Sequence, residues 1–196
     1  MVANGVVTPG SLPDRPTPKS EWTIGSVALS RPRKGVEVLI QALSNLRQMG
    51  EVVRLRAVGP FETVEYEETI KEMAARLGVA DMIDWIGFAQ NVNAEFAKMD
   101  VLVLPSLFGE GMPMVILEAM AMGVPVVASD VEGIPEVLQH AHTGLVVPAG
   151  DAPQLASALF DLINNKYDWA AMRADAYSLQ VKSFSDHSMA AGVARV

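Results

Sequence analysis

Hydrophobic positions along the chain form short runs with strand spacing, separated by longer segments with helical spacing. The strand pattern, in which apolar residues are continuous or alternate with polar ones, predicts about six strands. They lie at residues 22–30, 52–59, 82–88, 100–106, 125–129 and 143–148. Helical periodicity predicts helices at residues 36–50, 62–77, 92–99, 113–122, 134–141, 151–165 and 168–181. This alternation predicts βαβ units and therefore an α/β fold built on a doubly wound parallel sheet.

The first 21 residues differ from the rest of the chain. Residues 1–21 are rich in proline, glycine and polar side chains and have no apolar core, which predicts an arm or linker rather than a secretory signal. Residues 22–196 are then predicted to form one domain, because a chain of 196 residues that is 50% hydrophobic can bury a sizeable core. No apolar run in the sequence reaches the roughly 20 residues that a membrane-spanning helix needs.

Composition and charge narrow the possible kinds of site. The chain has no cysteine, which excludes disulfides and thiolate metal sites and suits a reducing cytoplasm. Its net charge of −8 argues against a general attraction to nucleic acid, so an anionic ligand needs a local basic cluster. One such cluster, Arg31, Arg33 and Lys34, follows the first predicted strand. It is either a solvated basic loop or part of an anion site.

The stretch FGEGMPMVILEAMAMGVPVVAS, residues 108–129, holds two acids, Glu110 and Glu118, in an otherwise uncharged segment. In a doubly wound sheet, ligands bind beyond the carboxyl ends of the strands, where both the basic cluster and Glu110 are expected. Three interpretations of the two acids are open. They are solvated side chains, the acid and base of a hydrolase, or contacts to a phosphorylated ligand.

The third interpretation depends on the start of the helix after Glu110. Free backbone N–H groups and the positive end of the helix dipole suit a phosphate, although Pro113 has no N–H to offer. The predicted backbone donors are Met112, Met114 and Val115. Glu110 would then accept hydrogen bonds from sugar hydroxyls, and Glu118 would hold a diol such as a ribose. Arg31 and Lys34 would offset the repulsion between these acids and a diphosphate.

The segment EGMPMVILE, from Glu110 to Glu118, resembles the E-x7-E motif of retaining GT-B glycosyltransferases of glycosyltransferase family 4, the glycosyl transferases group 1. Further segments resemble that family in its order and spacing. They are NGV (4–6), RKGVEVLIQAL (33–43), AVGP (57–60), DVLVLPSLFGEG (100–111), EAMAMGVPVVASDVEGIPEVL (118–138) and TGLVVPAGD (143–151). The resemblance implies one Rossmann-like half of a GT-B fold, the C-terminal donor-binding half, without the N-terminal acceptor half.

The resemblance also implies roles for individual residues. Glu110 would bind donor-sugar hydroxyls, and Lys34 and Arg31 would contact the diphosphate, which makes these three the catalytic candidates. The family often has Gly-Arg at the end of the first strand; this chain lacks that arginine, and Arg31 is taken as its replacement ahead of Arg33. The implied nucleotide-sugar-binding residues are Glu118, Gly111, Met112, Met114, Val115, Arg33, Gly59, Gly87 and Phe88, of which the last two would meet the nucleobase.

The implied activity is transfer of a hexose from a nucleotide-diphosphate sugar, linked to UDP, GDP or ADP, to a glycan or lipid-linked acceptor, with retention at the anomeric carbon, as in polysaccharide biosynthesis. No metal or other cofactor is expected, because the chain has no D-x-D triplet and GT-B enzymes generally do not need one. The isolated half is expected to be inactive. The full-length enzyme is expected to be cytoplasmic or peripheral at the inner face of the membrane.

Two alternatives to the transferase remain open at this point. One is half of a GT-B nucleotide-sugar epimerase, and the other is a non-catalytic nucleotide-sugar-binding module. A nicotinamide dehydrogenase is disfavoured because the first strand does not lead into G-x-G-x-x-G. A P-loop NTPase is excluded because the chain lacks G-x-x-x-x-G-K-[ST].

Overall fold

Six parallel strands form a single sheet at the centre of the protein. The computed structural model describes residues 5–18 and 20–193, with side chains described up to residue 190. The strands are β1 (Trp22–Val27), β2 (Val53–Val58), β3 (Ile83–Gly87), β4 (Val101–Leu104), β5 (Val126–Ser129) and β6 (Leu145–Val147). Their order across the sheet is β3-β2-β1-β4-β5-β6. The predicted doubly wound parallel sheet is therefore confirmed.

Helices cover both faces of the sheet. They are α1 (Val36–Gln48), α2 (Val64–Arg76), α3 (Val92–Phe96), α4 (Met114–Ala121), α5 (Ile134–Val137), α6 (Ala152–Ile163), α7 (Trp169–Ser183) and α8 (Asp186–Val193). All seven predicted helices are present, whereas α8 lies beyond the last predicted helix. Over residues 5–18 and 20–193, no helix is both long enough and apolar enough to cross a bilayer.

Strand β4 explains why the central part of the sequence is almost continuously apolar. Its side chains alternate between the two faces of the sheet, and each face is covered by helices. Val101 and Val103 join the apolar cluster under α1 and α6, while Leu102 and Leu104 join the cluster under α4 and α7. All four are buried, as expected for a parallel strand with helices on both faces.

The strand order creates a crevice at the carboxyl edge of the sheet. From β1 the chain winds outward through β2 to β3, and it then returns to pair β4 with the other side of β1. The loops after β1 and β4 therefore leave the sheet in opposite directions. A switch of this kind is where ligands bind in open α/β sheets.

Residues 5–18, part of the predicted arm, pack along α7 without forming a helix or a multi-residue strand. The hydroxyl of Tyr177 on α7 donates to the carbonyl of Pro9 at 2.6 Å. Val6 forms an isolated parallel bridge with Ser185, immediately after α7. Residues 1–4 and 19 of the predicted arm, with Asn4 of the NGV segment, lie outside the described residues, as do residues 194–196 of the predicted domain.

Candidate functional site

Three loops meet at the crevice between β1 and β4. The backbone N–H of Leu107, after β4, donates to the carbonyl of Arg33, after β1, at 2.8 Å. The N–H of Gly133, after β5, donates to the carbonyl of Glu110 at 3.0 Å. The first bond holds the loop of Glu110 beside the basic cluster, and the second holds it beside the loop after β5. The sequence predicts that the basic cluster and Glu110 meet at this edge of the sheet.

A buried ion pair lies at the centre of the crevice. Glu110 is only 5% exposed, and the ammonium group of Lys34 donates a hydrogen bond to its Oε1 atom. The hydroxyl of Ser106 donates to the same oxygen at 2.6 Å. A carboxylate can be buried in this way only when charged or hydrogen-bonding partners replace the lost water. Lys34 and Glu110, which sequence analysis assigned to two parts of one ligand, thus contact each other directly.

Ser106 was missed by sequence analysis, although a signal for it exists. It is a fully buried polar residue two positions after the end of the apolar strand β4. A small hydroxyl residue at the end of such a strand has few ways to satisfy its oxygen. Its position therefore favours a partner in the next loop, which here is Glu110.

The two arginines of the basic cluster point to different partners. Arg33 Nη1 lies 3.9 Å from Glu110 Oε1 and donates to the carbonyl of Gly109 at 2.8 Å. Arg31 Nη1 lies 3.6 Å from Glu62 Oε1, on the loop after β2. Arg33, which was placed second as a replacement for the family arginine, is therefore the cation that accompanies Lys34 beside Glu110.

The helices that begin at the carboxyl edge of the sheet differ in their caps. Each helix that follows one of the flanking strands β2, β3 and β6 is capped by a side chain. Thr63 caps α2, Asn91 caps α3 and Asp151 caps α6. The helices α1, α4 and α5, which follow the central strands β1, β4 and β5, begin without a cap from any described side chain. Of these three helices, α1 and α4 are longer than α5. Their positive N-terminal ends border the crevice, and the free backbone N–H groups there are suited to an anion.

Glu118 lies on the second turn of α4, among residues that are mostly buried. Partial burial raises the pKa of its carboxyl above the ordinary value. The other predicted ligand residues of this segment range from exposed Gly111 and Met114 to half-buried Met112 and Val115. The structure thus brings the whole predicted segment to the edge of the crevice.

A second part of the predicted site lies at the ends of β2 and β3. The N–H of Gly59 donates to the carbonyl of Gly87 at 2.7 Å, and the side chain of Phe88 is 78% exposed. Next to them the rings of Phe61 and Trp85 pack with centroids 5.3 Å apart and line a shallow cleft. Trp85 is partly buried against the core and also lines this cleft, a contribution that was not predicted from the sequence.

Acidic and histidine side chains form no cluster of three that could hold a metal ion within the part of the chain that the structure describes. The carboxylate of Glu110 is instead matched to cations, and Glu118 lies on a helix among apolar neighbours. The donors and acceptors that line the crevice are those that bind phosphate and hydroxyl groups.

The sequence of this chain matches that of a known protein family. The family described as Glycosyl transferases group 1 matches residues 22–165, which include β1 to α6 and all of the site residues above. The chain belongs to this family. The predicted resemblance to the glycosyl transferases group 1 is thereby confirmed.

The relatives of this chain include proteins that are much longer than it. It is 33% identical over 162 residues to the exopolysaccharide phosphotransferase SCO2592 of Streptomyces coelicolor, covering 81% of this chain and 17% of that protein. It is also 33% identical over 159 residues to the phosphatidyl-myo-inositol mannosyltransferase of Mycobacterium leprae, covering 72% of this chain and 41% of that protein. The chain thus spans less than half the length of either relative.

Solved structures show which part of a group 1 protein the chain represents. Anabaena Alr3699/HepE in complex with UDP superposes with a TM-score of 0.83 at 25% identity, covering 90% of this chain and 48% of that chain. The C-terminal domain of the group 1 protein LpcC from Francisella tularensis superposes with a TM-score of 0.77 at 20% identity, covering 84% of this chain and 87% of that domain. The fold is that of the C-terminal half of a GT-B glycosyltransferase.

Proposed function

We propose that this chain is the donor-binding half of a retaining glycosyltransferase, which transfers a hexose from a nucleotide-diphosphate sugar to a glycan or lipid-linked acceptor. The observation that carries the proposal is the Lys34–Glu110 pair, buried where β1 and β4 diverge and bordered by the uncapped starts of α1 and α4. Cations and N–H groups for a diphosphate thus lie beside an acceptor for sugar hydroxyls. A hydrolase would need two cooperating acids, and Glu110 is neutralised by Lys34 instead.

Binding of the donor would exchange partners within this pair. Lys34 would turn from Glu110 to the diphosphate, which carries the growing negative charge as the bond to the anomeric carbon breaks. Glu110 would then accept hydrogen bonds from donor-sugar hydroxyls and orient the sugar. Preorganised donors of this kind each contribute a few kcal/mol to the stabilisation of a transition state. Arg33 is already beside Glu110, whereas Arg31 would have to leave Glu62 to join them.

The nucleoside would lie across the adjacent strand ends. Glu118 would accept both hydroxyls of the ribose, and the base would meet the backbone at Gly87 and Phe88, near Gly59. The structures of HepE in complex with UDP and with UDP-glucose support a nucleotide-diphosphate sugar as the ligand. A relative from Mycobacterium tuberculosis, 36% identical over 158 residues, is described as a GDP-mannose-dependent mannosyltransferase, so guanine is also a candidate base.

Titration calorimetry with UDP, GDP and ADP and their hexose conjugates tests this proposal. We expect saturable binding of one nucleotide, and about tenfold weaker binding by Glu118→Gln, because the neutral amide loses the charge-assisted bonds to the ribose. Asp175→Asn, at an exposed acid on α7, is the matched control and should bind like the wild type. Since the pKa of Glu118 is raised, the wild-type affinity should fall as the pH is lowered towards that pKa, and the affinity of Glu118→Gln should not.

Binding without an effect of Glu118→Gln would contradict the assignment of this residue to the ribose.

Turnover by the full-length protein separates the three candidate functions, which are the glycosyltransferase, the epimerase and the non-catalytic module. Transfer to an acceptor with retained anomeric configuration supports the glycosyltransferase, and release of the free nucleotide with an isomerised sugar would point to the epimerase. Binding with neither reaction would indicate a non-catalytic module.

Nucleotide binding should be independent of divalent metal ions. The positive charge that would neutralise a diphosphate comes here from Lys34, Arg33 and the uncapped helix starts. Adding EDTA, or Mg²⁺ after EDTA, should therefore change the calorimetric dissociation constant by less than about twofold. Loss of binding in EDTA that Mg²⁺ restores would contradict this prediction.

A further inference from the structure

Glu132, on the loop between β5 and α5, contacts the backbone on which Glu110 is carried. Its Oε1 atom accepts a hydrogen bond from the N–H of Gly109 at 3.0 Å, and its Oε2 atom accepts one from the N–H of Glu110 at 3.1 Å. The carboxylate thus holds two consecutive N–H groups. This residue lies 22 positions after Glu110, and no role for it was predicted from the sequence.

Arg33 holds the same peptide from the opposite side. Its Nη1 atom donates to the carbonyl of Gly109, while Glu132 accepts from the N–H of that residue. Both backbone groups of Gly109 are therefore occupied by charged side chains. The two N–H donors, with a smaller contribution from Arg33, lower the pKa of Glu132, so its carboxylate is ionised at neutral pH.

The backbone around Glu132 is strained and tightly packed. Glu132 has a φ of +33°, in the left-handed region that a residue with a side chain rarely adopts. At the next position, a Cβ atom on Gly133 would lie 1.8 Å from the carbonyl oxygen of Gly111. Such a conformation persists only where surrounding contacts enforce it. Here the contacts that enforce it are those with the loop of Glu110.

We propose that Glu132 is a positioning residue, which together with Arg33 clamps the Gly109–Glu110 peptide and so fixes Glu110 for the donor sugar. The clamp leaves the side chain of Glu110 free to exchange Lys34 for a sugar hydroxyl without movement of its backbone. Glu132 holds the backbone of Glu110, whose carboxylate would bind the sugar. Loss of Glu132 should therefore weaken binding of the sugar part of the donor and not of the nucleoside part. The sugar-related part of this inference rests on the proposed function, whereas the clamp itself does not.

Glu132→Gln and Glu132→Ala test the inference, with Glu136→Gln, at an exposed acid on α5, as the matched control. The first readout is amide hydrogen exchange, measured by NMR, at Gly109 and Glu110. We expect exchange at both amides to be at least about tenfold faster in Glu132→Ala, because an N–H released from a carboxylate meets water. In Glu132→Gln, whose side chain keeps one acceptor oxygen, we expect this acceleration at one or both amides, and in Glu136→Gln no change. Unchanged exchange in the Glu132 variants would overturn the clamp.

The second readout compares two probes, UDP-glucose and UDP, or GDP-mannose and GDP if the wild type binds guanine nucleotides. The Glu132 variants should bind the nucleotide sugar about tenfold more weakly and the nucleotide alone within about twofold of the wild type. Equal weakening of both probes would show a general loosening of the site and would overturn the positioning role. If the wild type binds neither probe, the proposed donor role of Glu110 fails, and the exchange measurement still decides whether the clamp exists.

Discussion

Replacing Lys34 with methionine should lower the free energy of unfolding by about 3 kcal/mol, because it removes the only ammonium group that is hydrogen-bonded to the buried carboxylate of Glu110 among the described residues. Methionine keeps most of the volume and flexibility of the lysine stem, so the change isolates the charge from the packing. Ser106 would still donate to Glu110, and Arg33 would remain with its Nη1 atom 3.9 Å from Oε1. A neutral hydroxyl and a cation beyond hydrogen-bond distance do not replace the hydrogen-bonded ammonium group. Urea denaturation followed by circular dichroism measures the loss.

The double variant Lys34→Met/Glu110→Gln separates charge from other causes. The side-chain amide that Glu110→Gln introduces is uncharged, and its oxygen can still accept a hydrogen bond from Ser106. We therefore expect the double variant to recover most of the stability that Lys34→Met loses. A double variant as unstable as Lys34→Met would show that the ion pair is not what the substitution disrupts.

Gly35→Ala should lower the free energy of unfolding by about 3 kcal/mol and weaken nucleotide binding. Gly35 joins the turn at Pro32–Lys34 to α1 with a φ of +67°. A Cβ atom there would lie 2.0 Å from the carbonyl oxygen of Pro105, at the end of β4. Both the left-handed conformation and the backbone collision oppose alanine, and relief of the collision must push the loops after β1 and β4 apart. Denaturation and calorimetry on the same preparation measure the two effects.

Gly50→Ala is the matched control for this substitution. Gly50 follows α1 and has a φ of +87°, yet a Cβ atom there would meet nothing within 4 Å. It therefore reports the conformational cost alone, which is about 1 kcal/mol. Similar losses in the two variants would mean that the contact between Gly35 and Pro105 contributes nothing to stability.

Much of the fold follows from the sequence because each strand type leaves a distinct pattern. The continuous apolar run of β4 predicts burial on both faces, and the strand–helix alternation predicts the doubly wound sheet. The position of the site was also predictable, since Lys34 and Glu110 each follow a strand and the carboxyl ends of parallel strands share one edge. Knowledge of the strand order was not needed for this step.

The pairing of side chains within the site was not predictable. Arg31 and Arg33 are two residues apart, but Arg31 is extended and Arg33 lies in the turn at Pro32–Lys34, so their side chains diverge to Glu62 and Glu110. That turn has no periodic signal from which a direction can be derived. Glu132 was missed for a different reason: it bonds to backbone N–H groups, which every sequence contains and which therefore leave no pattern.

The bridge between Val6 and Ser185 has a practical consequence for protein engineering. The backbone that leads into this fold and the backbone that leads out of it run side by side, with the N–H of Val6 donating to the carbonyl of Phe184 at 3.0 Å. Closely spaced junctions are what domain insertion requires. Residues 6–185 could therefore be transplanted as a cassette into a surface loop of a carrier protein, where two short linkers would join it without stretching either partner.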